Sequence, residues 1–332
     1  MSNNKRDFAF DVARSICIVE IVCMLHMTNY LEKSLISDSL AHLLGFWTLA
    51  SLALFTFMSG YFMGRYKLSS IRDVYVFFVN RIKRFWGLYF VASLLLYVAS
   101  SVAGQPWYES FPNFLLSLLG LTIFFQPLPP TLWYMVMLMF FYLITPLLLL
   151  FKTTIYRASI GVIILLLFVF MNQNAWVDNR VLLYFPFYVI GLCCNQRVVD
   201  VIKDNAAAIL CVCIILILYH WLIDDSVSWG YLYMIIGGSV IITISSLLST
   251  NKKVRYISAR ISFASMAMYF FHRHFYLASV IIWNVGNLHN VRNLTMPLWF
   301  CVLIVCPIIF IGSYYIQILY DSVLAKCTNR NV

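Results

Sequence analysis

Apolar positions run through this chain in long blocks, and the polar positions between them fall in short clusters. A helix that crosses a bilayer needs about 20 predominantly apolar residues. Runs of that order recur at 8–30, 42–64, 85–103, 131–151, 156–172, 180–195, 206–222, 229–249, 261–286 and 296–320. The pattern predicts an all-α, polytopic membrane protein with about ten transmembrane helices. One further apolar stretch, 112–126, is shorter and is framed by Pro112 and Pro127.

Composition strengthens that picture. Hydrophobic residues make up 62% of the chain and charged residues only 11%, against about 25% charged in soluble domains. No soluble domain, low-complexity linker or tandem repeat stands out, so residues 1–332 read as a single membrane-embedded domain. The first apolar run follows Lys5-Arg6 and extends from Phe8 to Tyr30. It is too long for a cleaved signal peptide and lacks a small-residue cleavage site, so it is expected to remain as the first span.

Charge decides how the runs are threaded. With the N-terminus inside, Lys5, Arg6, Arg65, Lys67, Arg72, Arg81, Lys83 and Arg84 are cytoplasmic, and Lys33 alone of the early cations is outside. Later, Lys152, Arg157, Arg197, Lys203, Lys252, Lys253, Arg255, Arg260, Lys326 and Arg330 share one side, against Arg180 and Arg292. Both halves obey the positive-inside rule only if 112–126 does not cross. The expectation is ten spans, both termini cytoplasmic, and 112–126 as a re-entrant or interfacial segment on the outer side. Irregular backbone at that depth has to be shielded by protein or line a cavity.

The same distribution places Glu32, Asp38, Glu109, Asp178, Asp224 and Asp225 outside. The net charge of +10 therefore sits in short loops beside apolar runs. That argues against nucleic acid and for anionic lipid head groups or an anionic ligand. The nine cysteines have neither zinc-like nor disulfide-framework spacing and read as small buried hydrophobes.

Three polar features interrupt the apolar pattern. The first run holds Asp11, Arg14, Glu20 and His26. Asp11 and Arg14 are three apart and share a helix face, where they can pair. An interfacial ion pair snorkelling to water is the plain alternative to a site. His26 lies about 18 Å further along the helix, where a packing role competes with that of a base for a hydroxyl.

The second feature is Tyr269-Phe270-Phe271-His272-Arg273-His274. His272 and His274 point to different helix faces and make poor joint metal ligands, so no metal is expected. Arg273 has to find a carboxylate, a phosphate or a water-filled cavity. The third is a basic loop carrying Arg65, Lys67, Arg72, Arg81, Lys83 and Arg84. Any cytoplasmic loop is basic, yet Arg81 and Arg84 beside Phe85 and Trp86 suit phosphate and a stacked adenine. Dinucleotide, P-loop, zinc-protease and serine-hydrolase fingerprints are all missing from the sequence.

Five short motifs, in order, resemble the membrane-bound acyltransferase-3 family of bacterial surface-polysaccharide O-acyltransferases. "FDVARSICIVEIVCMLH" is similar to its first-span motif, onto Asp11, Arg14 and His26. "FTFMSGYFMGR" resembles its second-span signature at Ser59 and Gly60, and "NRIKRFWGLYF" its basic start to the third span at Arg81 and Arg84. "LWYMVMLMFFYLITPLL" resembles the segment with Trp133, Tyr134 and Pro146, and "SFASMAMYFFH" the late motif with Tyr269 and His272.

The resemblance implies an acyl-CoA donor, acetyl-CoA first, used at the cytoplasmic face of the bacterial inner membrane, with no permanently bound cofactor. The acceptor is a surface polysaccharide or its lipid-linked precursor. Arg65, Arg81 and Arg84, with Arg14, hold the nucleotide end. His26 or His272 is the general base, with an acyl-histidine intermediate as the variant. Ser59, Tyr269 or Trp133 donates to the oxyanion. Membrane lipids are the other partners, and oligomeric state stays open, a homo-oligomer among the options.

One departure stands out. The family usually has one residue fewer between this arginine and this histidine. The extra residue turns His26 about 120° away from Arg14 on a regular helix. Either a π-bulge absorbs it, or the two groups serve different sub-sites. A transporter or flippase for an anionic or lipid-linked sugar is the rival reading, since Arg273 and its histidines suit substrate or proton binding too. A catalytically inactive family member is the third.

Overall fold

Among the described residues, several polar breaks in the sequence hold a helix cap. In the computed structural model Asp7 accepts from the Ala9 amide at 3.1 Å and opens α1, Phe8–Val19. Ser37 accepts from Leu40 N and opens α2, Asp38–Gly64. Thr153 and Asp178 cap α6, Thr154–Gln173, and α7, Asn179–Cys193. Asn251 accepts from both Lys253 N and Val254 N and opens α9, Lys252–Trp283. Short oxygen-bearing side chains satisfy amides that the first turn leaves unpaired, which is why these residue types mark the starts.

The remaining elements are α3 (Ile71–Ala103), α4 (Phe111–Leu118), α5 (Trp133–Leu149), α8 (Gly230–Leu248) and α10 (Leu298–Phe300, continuing through Cys301–Val305 to Asn329). The structure describes residues 7–103, 111–124, 129, 131–195, 230–285 and 294–329, with isolated positions between 200 and 211. Among them there are helices and one isolated bridge, Leu31 to Met296, but no strand. The apolar run 206–222, apart from positions 208 and 211, and the charges at Lys5, Arg6, Glu109, Arg197, Lys203, Asp224, Asp225, Arg292 and Arg330 lie outside the described residues.

Five helices are long and apolar enough to cross a membrane: Asp38–Gly64, Ile71–Ala99, Thr154–Gln173, Gly230–Leu248 and Leu298–Cys327. Only 11% of the apolar stretch of α6 is buried inside the protein. Ile163, Leu166, Leu167 and Phe170 stand open on its outer side. Apolar surface on that scale is stable only against hydrocarbon. The protein is an α-helical membrane protein. Trp133–Leu149 and Asn179–Cys193 are shorter apolar helices.

One sequence expectation needs correction. The basic segment is a loop only over Arg65–Ser70; from Ile71 it is helical, so Arg72, Arg81, Lys83 and Arg84 ride on α3. A capping box explains the early start. Asp73 accepts from the Ser69 and Ser70 amides at 2.9 Å each, and Ser70 Oγ accepts from the Asp73 amide. Within 112–124, the described part of the stretch expected to be re-entrant, the chain forms α4 and one 3₁₀ turn, Leu121–Ile123, hinged at Gly120 with φ 72°. Tyr89 OH reaches the Ser117 carbonyl at 2.7 Å and ties α4 to α3.

The core lies where α1, α2, α5, α7 and α9 meet, around Phe141, Tyr184, Phe185, Tyr188, Phe270 and Tyr276. Helices α2 and α7 approach closely because they meet through Gly60, Gly64 and Gly191. A methyl group on Gly60 would collide with the Tyr188 carbonyl, and one on Gly191 with the Phe57 carbonyl. Small residues give membrane helices their contact area in this way. The crossing also fixes the helix that carries Ser59.

Candidate functional site

Helices α1 and α9 lie side by side, and their polar residues meet in two places. Near the start of α1, Arg14 Nη1 donates to Ser262 Oγ at 3.2 Å, and Ser262 donates to Asp11 Oδ1 at 2.9 Å. Ser15 Oγ sits 2.8 Å from the Asp11 carbonyl and 2.9 Å from that of Ser258. Asp11 and Arg14 are thus bound into one network by serines of the neighbouring helix. At the far end, His26 Nδ1 lies 3.0 Å from His272 Nε2.

Both meetings are possible because α1 does not stay regular. Between Arg14 and His26 the chain forms a π-helical segment, Glu20–Leu25, before a last α turn, His26–Thr28. A π segment takes up one additional residue. It returns His26 to the side of the helix that Arg14 occupies, facing α9. Glu20 opens the segment and is tied to α2, its Oε1 accepting from Thr48 Oγ1 at 2.8 Å.

Hydrogen bonding assigns the tautomers of the pair. His272 Nδ1 is 3.0 Å from the Met268 carbonyl, which can only accept, so Nδ1 carries the proton. In neutral His272, Nε2 is then an acceptor, and His26 Nδ1–H donates to it. That leaves His26 Nε2 with a lone pair for chemistry. His272 is fully buried, whereas His26 is only half-buried. His26 is thus the ring with an open nitrogen, and His272 is the ring held at both nitrogens.

On the near side of this pair is a cavity of about 910 Å³. Arg14, Arg65, Arg81 and Arg84 line it, with Ser59, Phe85, Tyr134 and Tyr269. Arg65 stacks over the Tyr61 ring at 4.4 Å and donates to its hydroxyl. Arg81 does the same with Tyr66, at 5.1 Å. Such contacts hold guanidinium planes in place. Tyr269 connects cavity to pair: it lines the one, and its ring centroid is 6.1 Å from that of His272.

Several expectations are revised. Trp133 does not line the cavity. Its indole lies under Arg180, 4.6 Å from the guanidinium carbon, and beside Tyr184. Successive helix residues point about 100° apart, so Tyr134 takes the cavity position instead. Trp86 likewise faces outward and stacks on Phe90, leaving Phe85 at the wall. Tyr269 OH donates to the Thr131 carbonyl, which occupies the hydroxyl proposed for an oxyanion. Arg273 donates through Nε to Thr131 Oγ1, a hydroxyl partner that the sequence did not suggest. His274 turns away to the Ala92 carbonyl at 3.1 Å.

Sequence reading did not single out Ser262, Thr131, Gln317 or Asp321. Gln317 and Asp321 line the cavity from α10, with Gln317 Nε2 donating to Asp321 Oδ1 at 3.0 Å. Ser262 had a legible signal. With Ser265, Tyr269 and His272 it repeats every three to four positions along one face of α9. Thr131 had none, since its role depends on tertiary contacts.

A family model described as an acyltransferase domain, acyltransferase-3, matches residues 7–317. The chain belongs to this acyltransferase family. The match spans both helices of the histidine pair and every arginine of the cavity. No curated protein and no solved structure matches the chain at a significant level. The protein is therefore read as a membrane acyltransferase, with donor and acceptor argued from the residues.

Proposed function

We propose that the protein is an O-acyltransferase that moves an acyl group, acetyl first, from acyl-CoA to a hydroxyl of a cell-surface glycan or its lipid-linked precursor. One observation carries the reading: four arginines line a cavity whose inner wall, Tyr269, abuts a hydrogen-bonded histidine pair. Guanidinium groups suit the phosphates of a nucleotide donor. A volume of about 910 Å³ is at the upper end for small-molecule sites, which span roughly 300–1,000 Å³. The thin pantetheine arm is the part of such a donor that can pass Tyr134 and Tyr269.

The chemistry follows from the tautomers. His26 Nε2 takes the acceptor's hydroxyl proton as the oxygen attacks the thioester carbon. The imidazolium that results keeps its Nδ1–H on His272 Nε2, which holds the ring while it is charged. When the tetrahedral adduct collapses and the C–S bond breaks, the same proton passes to the thiolate leaving group.

Membrane placement completes the proposal. Ten spans with both termini in the cytoplasm of a bacterium, and 112–126 as a re-entrant segment on the outer side, put the arginine cavity at the cytoplasmic face. The donor is made there, and the histidine pair then stands nearer the outer face, where the acceptor glycan arrives.

The decisive experiment uses radiolabelled acetyl-CoA and the purified, detergent-solubilised protein, wild type beside His26→Ala. Consumption of label by wild type and its loss in the variant support a donor-using enzyme with His26 as base. No consumption by wild type, together with no thermal stabilisation by the donor, sinks the proposal.

A further inference from the structure

Thr131 is one of two non-glycine residues with positive φ among the described residues, at 67°; the other is Ala175. For a β-branched residue the left-handed region is a genuine outlier. Such strain persists only where surrounding contacts hold it, and it concentrates at working sites. Here the holding contacts are known. Tyr269 OH donates to the Thr131 carbonyl, and Arg273 Nε donates to Thr131 Oγ1, across 138 and 142 residues of chain. Tyr269 and Arg273 are four apart on α9, on one face, and they flank His272.

A guanidinium at this depth in a membrane helix is costly and marks function by default. That of Arg273 lies beside the histidine pair: Thr131, its partner, also accepts from Tyr269, whose ring centroid is 6.1 Å from that of His272. Thr131 fixes the Nε edge of the guanidinium and so sets the direction of the whole plane. Tyr269, the other donor nearby, is committed to the Thr131 carbonyl.

We propose that Arg273 is a catalytic residue that stabilises the oxyanion of the tetrahedral adduct, and that Thr131 is the positioning residue that aims it. This rests on the acyl-CoA reading above. In the attacking step a C–O bond forms and the carbonyl π pair moves to oxygen, while the hydroxyl proton goes to His26. The guanidinium meets the new negative charge and neither gains nor loses a proton. Collapse re-forms C=O and expels the thiolate, which takes the proton from His26. A preorganised cation at the developing oxyanion is one of the larger single contributions an enzyme can make.

The test uses acetyl-CoA with water as acceptor, so that no glycan need be known. The full-length protein in detergent is assayed for thioester hydrolysis and for thermal melting. Arg273→Gln is expected to lower kcat by about 10²–10³-fold with an unchanged KM for acetyl-CoA. Thr131→Val is expected to lose about tenfold in kcat, the cost of a slightly misaimed group, and Thr131→Ser to restore most of it. Thr131→Gly separates the roles: it relieves the left-handed backbone, so it melts no lower than wild type, yet kcat falls. Arg273→Gln with kcat within threefold of wild type overturns the proposal, as does a Thr131→Gly variant with full kcat. An effect confined to KM overturns it as well. If the wild type itself neither hydrolyses nor binds acetyl-CoA, the acyl-CoA reading fails instead.

Discussion

His26 Nδ1 and His272 Nε2 stand 3.0 Å apart although 246 residues separate them in the chain. The bond runs from a half-buried ring to a fully buried one whose other nitrogen is fixed on the Met268 carbonyl. In the proposed mechanism the two rings have unequal roles, and their replacements should differ. His26→Ala removes the base and is expected to cost about 10²–10⁴-fold in kcat. His272→Ala leaves the base but frees its ring, at about 10²-fold. Single-turnover consumption of acetyl-CoA measures both. Equal losses would mean that the rings act as one unit, and a larger loss at His272 would reverse the assignment.

The π segment gives a prediction about length. If Glu20–Leu25 absorbs one residue, deleting the exposed Met24 should let α1 become regular while Arg14 and His26 keep facing α9. That deletion is expected to retain measurable turnover. Inserting an alanine after Met24 turns His26 by about a further 100° and should abolish turnover without preventing membrane insertion. The idea fails if the deletion is as dead as the insertion.

How much of this was legible beforehand depends on whether the signal was local. Ser37, Asp73, Asp178 and Asn251 act on amides within four residues, so their signals are local, yet the apolar runs missed the helical stretches before Phe85 and before Ile261. Asp11, Arg14, His26, Tyr269 and His272 stood out because charge and imidazole are conspicuous in apolar runs. The choice between Trp133 and Tyr134 needed the rotation of α5 against α2 and α9, which periodicity alone does not give. Thr131 was invisible because its strain is imposed by Tyr269 and Arg273, both more than a hundred residues away.

Arg84 lines the cavity on the helical, not looped, part of the basic segment. If it contacts donor phosphate, Arg84→Ala should weaken acetyl-CoA binding by about 1.5–3 kcal/mol, the worth of a charged hydrogen bond. That is roughly a tenfold or greater rise in KM, with kcat little changed. A truncated donor lacking the nucleotide should show no such difference between wild type and variant. Steady-state kinetics with both donors checks it, and an unaltered KM for acetyl-CoA would remove Arg84 from the donor site.

The proposed threading is open to a direct test at the α5–α6 connection. A reporter fused after Lys152 should give a cytoplasmic signal, and one placed after Asn174 an external signal. An external signal after Lys152 would mean that 112–126 crosses the membrane, inverting everything before or after it.

Gly60 stands one residue from Ser59, and its function is packing. A methyl group there meets the Tyr188 carbonyl of α7, and Gly191 in turn has no room beside the Phe57 carbonyl of α2. Backbone cannot rotate away as a side chain does, so the helices must separate. Gly60→Ala is expected to lower stability by about 1–3 kcal/mol, the usual cost of overpacking. Because α2 also carries Ser59 and Arg65 into the cavity, the separation should widen the donor site and raise KM for acetyl-CoA too. Thermal melting and donor titration on the same sample separate the two effects. A variant that melts with wild type yet binds donor poorly would place Gly60 against the ligand instead of against α7.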